Sequence, residues 1–152
     1  MKIGEIEHVS INVKNLDEAV KRFSDVFGTT FVYSDEGVVE KTVTEHADST
    51  YDVAYVPGRG GNLKLAMDQA GCLSLVESDP PVEKEGLRSL YFKVPDIEQA
   101  KAEMKQKGVR LTAAVKAERV KEAIFNADDL HGVRVVLVEY QGFNYTDATP
   151  TK

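Results

Sequence analysis

Residues 6–23, which read IEHVSINVKNLDEAVKRF, contain a strand pattern followed directly by a helix pattern. Polar and apolar side chains alternate from His8 to Val13, which is typical of a strand with one buried face. Asn15 then precedes Glu18 by three residues, the spacing of a capping box at the start of a helix. An apolar stripe at helical spacing follows it. The stretch therefore predicts a strand and an amphipathic helix joined by a short turn.

The same strand and helix recur farther along the chain. Residues 86–111, GLRSLYFKVPDIEQAKAEMKQKGVRL, repeat the pattern at a shift of 81, which lays Asp96 over Asn15. At a shift of 62, residues 135–139 (VVLVE) lie over residues 73–77 (LSLVE). We therefore interpret the chain as two βαβββ units that follow one another.

The remaining strands complete the two units. Their predicted ranges are 29–33, 62–67, 72–78, 109–115, 119–126 and 132–140. Residues 35–61 have a weaker pattern, interpreted as a long excursion, partly helical or stranded, that shapes the mouth of a cavity. We expect an α+β fold in which two βαβββ modules form one curved mixed sheet around a cavity, with the helices outside. The expected division is a single domain over residues 1–152, with modules at 5–79 and 86–143 and a tail at 144–152.

The composition is that of an ordinary globular chain. Its 152 residues include 42% apolar and 29% charged side chains, and 19 basic against 25 acidic residues give a net charge of −6. Nucleic acid is not an expected partner, because phosphate binding needs clustered cations. No apolar run approaches the roughly 20 residues that span a bilayer, and no secretory signal opens the chain. Cys72 alone excludes a disulfide framework, so we expect a cytoplasmic protein without membrane contact.

Three stretches resemble the vicinal oxygen chelate superfamily, the group of glyoxalase I, methylmalonyl-CoA epimerase, extradiol dioxygenases and bleomycin-resistance proteins. They are the opening stretch with His8, the second opening at residues 86–111, and HGVRVVLVEYQGF at residues 131–143, which resembles the closing strand of that family. The resemblance covers roughly residues 5–143. It implies the duplicated βαβββ fold, whereas function varies widely among proteins that share a fold.

The resemblance also carries expectations about a metal ion. In metal-using members, four inward side chains from the first and last strand of each module hold one divalent ion. In this chain those positions fall on His8, Ser74, Ser89 and Val136. Only the first is a suitable ligand, since the family would have Glu or Gln, His and Glu at the other three. We therefore expect no metal and no other cofactor, unless a β-bulge turns Glu77 or Glu139 inward to rebuild a site.

Strand alternation predicts which side chains line the cavity. They are His8, Ser10, Asn12, Ser74, Val76, Ser89, Tyr91, Lys93, Arg134, Val136 and Val138. His8 and Tyr91 are the candidate catalytic residues, because an imidazole has an unperturbed pKa of about 6.5 and a tyrosine hydroxyl orients a substrate. The candidate ligand-binding residues are Ser10, Asn12, Ser74, Ser89, Tyr91, Lys93 and Arg134. The two cations among them would meet an acidic group on a ligand.

Three functions stay open at this point. The first is a metal-free protein that binds a small organic molecule, either to sequester it or to act on it without a cofactor. The second is a metal-dependent isomerase, epimerase, lyase or dioxygenase with an atypical ligand set. The third is a non-catalytic structural dimer. A homodimer is expected in each case, because exposed sheet edges invite pairing and two-module chains of the family commonly pair.

Overall fold

A computed structural model describes residues 1–33, 63–116 and 120–141, together with the backbone of residues 42–46 and 54–56. Strands and helices alternate through these ranges as the repeat predicts. The elements are β1 (Ile6–Asn12), α1 (Leu16–Phe27), β2 (Phe31–Tyr33), β3 (Thr42–His46), β4 (Ala54–Val56), β5 (Leu63–Asp68), β6 (Leu73–Ser78), β7 (Gly86–Lys93), α2 (Ile97–Gln106), β8 (Leu111–Lys116), β9 (Val120–Phe125) and β10 (Val135–Tyr140). A short 3₁₀ helix, Ala127–Leu130, precedes the last strand.

The strands form one mixed sheet in the order β2-β5-β6-β1-β7-β10-β9-β8-β3-β4. At its centre β1 and β7 are antiparallel, and each pairs on its other side with the last strand of its own module in parallel. The order β1-β6-β5-β2 of the first module is repeated by β7-β10-β9-β8 of the second. The predicted fold class, two βαβββ modules in one mixed sheet, is confirmed.

The hairpin β3–β4 is an addition to the duplicated plan. It comes from the excursion that separates β2 from β5 in the chain, yet it pairs with β8 at the far edge of the other module. The stranded part of the interpretation of residues 35–61 is thus confirmed at β3 and β4. The rest of that excursion lies outside the described residues. So does the frayed tail expected after Tyr140, except for Gln141.

The position of this hairpin requires the sheet to be curved. Nine Cα-to-Cα steps lead from Tyr33, where β2 ends, to Thr42, where β3 begins. A chain of that length spans at most about 30 Å. In a flat sheet, eight strand spacings of about 4.8 Å would place the two strands about 38 Å apart. The sheet must therefore bend so that its two edges approach each other.

Both helices form as their capping residues predict. The side chain of Asn15 accepts a hydrogen bond from Glu18 N at 3.0 Å, and Asp96 accepts one from Gln99 N at the same distance. Gly28 ends α1 with φ +64°, a left-handed conformation that favours glycine. Neither α1 nor α2 has the length and apolarity that a membrane-spanning helix needs.

The two helices pack on the same side of the sheet, which we call the outer face. In the first module Leu16 of α1 is buried with Val13 and Leu75. In the second module α2 buries Ile97, Ala100 and Met104 against the strand residues Ala123, Phe125 and Leu137. These two apolar clusters stabilise the fold. Neither α1 nor α2 packs on the opposite side of the sheet, which we call the inner face.

Candidate functional site

The cross-strand register places the predicted cavity residues together on the inner face. Ser10 of β1 lies between Ser74 of β6 and Ser89 of β7. His8 lies opposite Tyr91, and Tyr91 lies opposite Val136 of β10. The same register and strand alternation add the other predicted members, namely Asn12, Val76, Lys93, Arg134 and Val138. Alternation along the strands was therefore a correct guide to this grouping, and the functional roles of these residues stay predictions.

Several polar side chains of the inner face are buried although neither helix covers them. His8 is 2% exposed, and Ser10 and Ser89 are each 1% exposed. Within the described part of the chain, the hydroxyl oxygens of both serines and Oε1 of Glu122 have no hydrogen-bond partner. Buried polar atoms are nearly always paired in native proteins. These three atoms therefore mark a part of the inner face that could form hydrogen bonds with a polar ligand.

A β-bulge at Glu7 brings a carboxylate to this group. The pairing of β1 with β7 shifts by one residue between Ile6 and His8, so Glu7 is the extra residue of β1. Its carboxylate contacts Nδ1 of His8 and accepts a hydrogen bond from the Tyr140 hydroxyl at 3.1 Å. Simple alternation assigns Glu7 to the outer face, so the sequence analysis did not include it.

Glu7 and Tyr91 together fix the imidazole of His8. An ionised carboxylate only accepts hydrogen bonds, so Nδ1 of His8 carries the proton in this contact. The ring of Tyr91 stacks on the imidazole with the centroids 3.8 Å apart and the planes 22° apart. The two candidate catalytic residues are thus in direct contact, and the imidazole is held in one tautomer and one orientation.

A second β-bulge brings a guanidinium to the inner face. The β1–β7 pairing shifts again between Ser10 and Ile11, and here Arg88 is the extra residue of β7. Nη1 of Arg88 donates a hydrogen bond to Oδ1 of Asn12 at 3.0 Å. Glu7 and Arg88 are 81 residues apart, the shift that relates the two modules. The same bulge therefore occurs at the same place in each module.

The charges near Arg88 act on it in opposite directions. Burial lowers the pKa of Arg88, and the neighbouring positive charge of Arg134 lowers it further, while Tyr91 and Glu122 raise it. Glu122 lies opposite Val138 on β9 and is 8% exposed. Neither Arg88 nor Glu122 was predicted from the sequence. A charged side chain at an inward position of β9 was a signal for Glu122, whereas a bulge leaves no signal for Arg88.

Lys93 lies at the margin of the inner face. Its side chain is exposed, and its Nζ is 5.5 Å from the centroid of the Tyr140 ring. That distance suits a cation–π interaction. Lys93 is therefore held beside the Glu7–Tyr140 pair, in the row of the sheet that also contains Val138 and Glu122.

Comparison with protein families agrees with this architecture. The model of the Glyoxalase/Bleomycin resistance protein/Dioxygenase superfamily matches residues 5–137. The chain belongs to this superfamily. A search of the curated proteins finds no match for it.

Several solved structures share the fold at low identity. A methylmalonyl-CoA epimerase from Mycobacterium tuberculosis is 18% identical with a TM-score of 0.66, over 92% of this chain and 90% of that one. A variant of the Streptomyces coelicolor methylmalonyl-CoA epimerase, in complex with 2-nitronate-propionyl-CoA, is 18% identical with a TM-score of 0.61, over 95% and 99%. A hypothetical protein from Bacillus halodurans C-125 is 16% identical with a TM-score of 0.69, over 93% and 97%. At these identities the likeness establishes the fold alone.

Glu77 and Glu139, which only a β-bulge would turn inward, lie on the outer face. Oε2 of Glu77 accepts a hydrogen bond from Leu16 N at 2.7 Å, and Oε2 of Glu139 accepts one from Ile97 N at 2.9 Å. Each therefore satisfies the first backbone N–H of the helix in its own module. The pairings of β6 and β10 have no register shift at these residues. The alternative of a metal site rebuilt through Glu77 or Glu139 is wrong.

The residues at the superfamily's metal positions do not suit a divalent ion in this chain. His8 is engaged by Glu7, and Ser74, Ser89 and Val136 supply two neutral hydroxyls and a methyl surface. Among the side chains that the structure describes, no group of three His, Cys, Asp or Glu could hold a metal ion. Divalent ions are held by several imidazole, thiolate or carboxylate ligands.

Proposed function

We propose that this member of the superfamily binds a small organic molecule on its inner face without a resident metal ion, and that His8 transfers a proton to or from it. The observation that carries the proposal is the contact between Glu7 and Nδ1 of His8. A carboxylate in this position orients an imidazole and stabilises the imidazolium that forms when Nε2 takes up a proton. A protein that only sequesters its ligand has no need of an imidazole held in one tautomer.

The surroundings of His8 support proton transfer in particular. The imidazole is 2% exposed, so bulk water does not compete for its proton. Tyr91, stacked on the ring, has a hydroxyl that would orient the bound molecule. The solved epimerases that the chain resembles suggest proton transfer at a carbon next to a carbonyl group. General acid–base catalysis of this kind contributes roughly 10²–10⁴-fold to a rate.

Solvent deuterium exchange tests the proposal directly. We would incubate the protein, purified without chelator, with pyruvate, acetoacetate and methylmalonyl-CoA in D₂O and follow the carbon-bound protons by NMR. At least one compound is expected to exchange, and His8→Gln should lower its rate by about 10²-fold or more. Glu7→Gln should lower it less and change the tautomer pattern in the imidazole ¹⁵N spectrum. His131→Asn is the matched control, since His131 is exposed and asparagine tolerates its φ of +55°.

Two results would contradict the proposal. One is exchange that His8→Gln leaves unchanged, which would place the proton transfer elsewhere. The other is near-stoichiometric zinc, nickel, iron or manganese in the purified wild-type protein that is lost in His8→Gln. That second result would favour a metal-dependent isomerase, epimerase, lyase or dioxygenase.

We further propose a cytoplasmic homodimer. Among the described strands, β2 and β4 form the two edges of the sheet. Ile6 and Leu87 expose apolar side chains on the outer face of the two central strands, at 51% and 60%. Open edges and exposed apolar groups are features that pairing of two copies covers. Light scattering of the purified protein should give twice the mass of the chain, and a monomer mass at micromolar concentration would contradict the dimer.

A further inference from the structure

Two guanidinium groups lie close together on the inner face. Arg88 reaches the inner face through the bulge of β7. Arg134 directly precedes β10, the strand next to β7, and its carbonyl oxygen accepts a hydrogen bond from Leu90 N at 3.0 Å. Both side chains are partly buried. Burial lowers the pKa of Arg88, and the nearby positive charge of Arg134 lowers it further. A negative charge between the guanidiniums of Arg88 and Arg134 would relieve their repulsion.

The described part of the protein does not supply that negative charge. Arg88 donates to the neutral amide of Asn12, and neither Arg88 nor Arg134 forms an ion pair with a carboxylate of the described residues. Glu122 attracts Arg88 electrostatically without a hydrogen bond between them. Cations in partly buried sites are usually paired, because removing them from water is costly.

Two buried hydroxyls adjoin the guanidinium pair. Ser89 follows Arg88 directly in β7 and lies opposite Ser10 of β1. Each serine is 1% exposed, and the oxygen of each lacks a hydrogen-bond partner within the described residues. A serine hydroxyl can donate a hydrogen bond to an anionic oxygen. The hydroxyls and guanidiniums are thus complementary to the same chemical group.

We propose that Arg88, Arg134, Ser10 and Ser89 bind the carboxylate of the small molecule held on the inner face. This inference rests on the proposed function, because it assigns a ligand class to the same site. The fork of an arginine matches the two oxygens of a carboxylate, and hydrogen bonds between charged groups are about twice as strong as neutral ones. Asn12 acts as a positioning residue, since it holds Nη1 of Arg88 at 3.0 Å.

Glu122 adds a constraint on the ligand. Its carboxylate is buried on the same face, with Oε1 unpaired among the described residues, and it attracts Arg88. It therefore competes with a bound carboxylate for the positive charge of the pair. A ligand with one carboxylate near Arg88 and a hydrogen-bond donor near Glu122 suits the site, and removal of the Glu122 charge should strengthen the binding of simple anions.

Titration calorimetry with matched acids and amides tests the assignment. The probes are acetate, benzoate and succinate, each compared with its amide. At least one acid is expected to bind the wild-type protein ten or more times more tightly than its amide. Arg88→Gln and Arg134→Gln should each weaken acid binding at least tenfold and leave amide binding unchanged. Arg88→Lys should lie between the two, because it keeps the charge and loses the fork.

Two further variants complete the experiment. Glu122→Gln should bind the acid more tightly than the wild type does. Arg22→Gln is the matched control, since Arg22 is an exposed arginine on α1, remote from the inner face, and its acid affinity should equal that of the wild type. Thermal unfolding of each variant checks that the fold is retained.

The outcomes separate this inference from the proposed function. Equal affinity for acids and amides, no acid binding by the wild type, or full acid binding by Arg88→Gln and Arg134→Gln would each overturn the carboxylate site. If exchange of the test compounds still depended on His8, the proposed function would stand. Arginine-dependent acid binding without any exchange that depends on His8 would confirm the carboxylate site and refute the catalytic role.

Discussion

The two modules contain a β-bulge at the same position, but the bulge residues have opposite charges. In the first module the bulge residue is Glu7, and the next residue is His8. In the second module the bulge residue is Arg88, and the next residue is Ser89. The duplicated backbone therefore presents an acid–base pair on one half of the inner face and a cation with a hydroxyl on the other. The same β-bulge therefore presents side chains of different chemistry in the two modules.

On the outer face, two pairs of equivalent positions keep the same residue. Glu77 and Glu139 cap the helices of their own modules with the same backbone contact. Leu75 and Leu137, related by the shift of 62, are both fully buried under those helices. These two outer-face pairs have thus stayed alike, whereas Glu7 and Arg88, and likewise His8 and Ser89, have diverged on the inner face. If this is correct, equivalent substitutions should have equal effects outside and unequal effects inside.

The largest equal effect is expected in the two apolar cores. Leu75→Ala and Leu137→Ala each remove a fully buried side chain, and each should lower the free energy of unfolding by about 2–5 kcal/mol. Both should do so in one cooperative transition in urea, because the two modules share a single sheet. Val26→Ala, at an exposed position of α1, is the control with little effect. Two separate transitions would indicate that the modules unfold independently.

The two capping carboxylates should give the next effect. Glu77→Ala and Glu139→Ala each leave a helix N–H without its partner, which we expect to cost about 1–2 kcal/mol at pH 7. The backbone hydrogen bond from Ile97 lowers the pKa of Glu139 below 4.5, and the bond and charge of Lys121 lower it further.

That pKa shift sets the pH dependence of the Glu139 contribution. A carboxyl group whose pKa is lower in the folded state stabilises the protein above its unfolded pKa and loses this effect as the pH falls through its folded value. The difference between wild type and Glu139→Ala should therefore be full above a pH of about 4.5 and shrink below it. Denaturant unfolding at several pH values measures this, and a difference that grew on acidification would contradict the assignment.

The two N-caps offer a smaller and slightly unequal pair. Asn15→Ala and Asp96→Ala should each lower the free energy of unfolding by about 1 kcal/mol. Asp96 adds a negative charge at the positive end of α2, so its loss should cost a few tenths of a kcal/mol more. Salt should remove that excess, because it screens the charge and not the hydrogen bond. An excess that persists in 1 M salt would have another origin.

The smallest effect is confined to the first module. The hydroxyl of Tyr33 donates a hydrogen bond to Asp17 at 2.7 Å and ties β2 to α1. Burial, followed by that hydrogen bond and the charge of Asp17, raises the pKa of Tyr33 to about 12. The stabilisation is full below pH 10 and is lost as the pH rises through about 12. The ultraviolet titration of Tyr33→Phe should lack one late phenol, and an unchanged late phase would refute this.

Most of the fold follows from local patterns that the chain carries twice. Alternation predicted the central strands, and Asn15 and Asp96 marked the helix starts with their own side chains. The same alternation grouped His8, Ser10 and Tyr91, because regular strands send every second side chain to one face. It also pointed Glu77 and Glu139 outward, three residues beyond the inward positions, as the structure has them.

The amino-acid sequence was sufficient for everything that depends on near neighbours in the chain, namely the repeat, the strands, the helix caps and most of the inner face. It was insufficient for Glu7 and Arg88, because a bulge depends on how two strands 81 residues apart settle against each other. One extra residue in each strand turns a side chain to the other face without any local mark. The imidazole with its carboxylate, and the guanidinium pair, therefore exist only once β1 and β7 are paired.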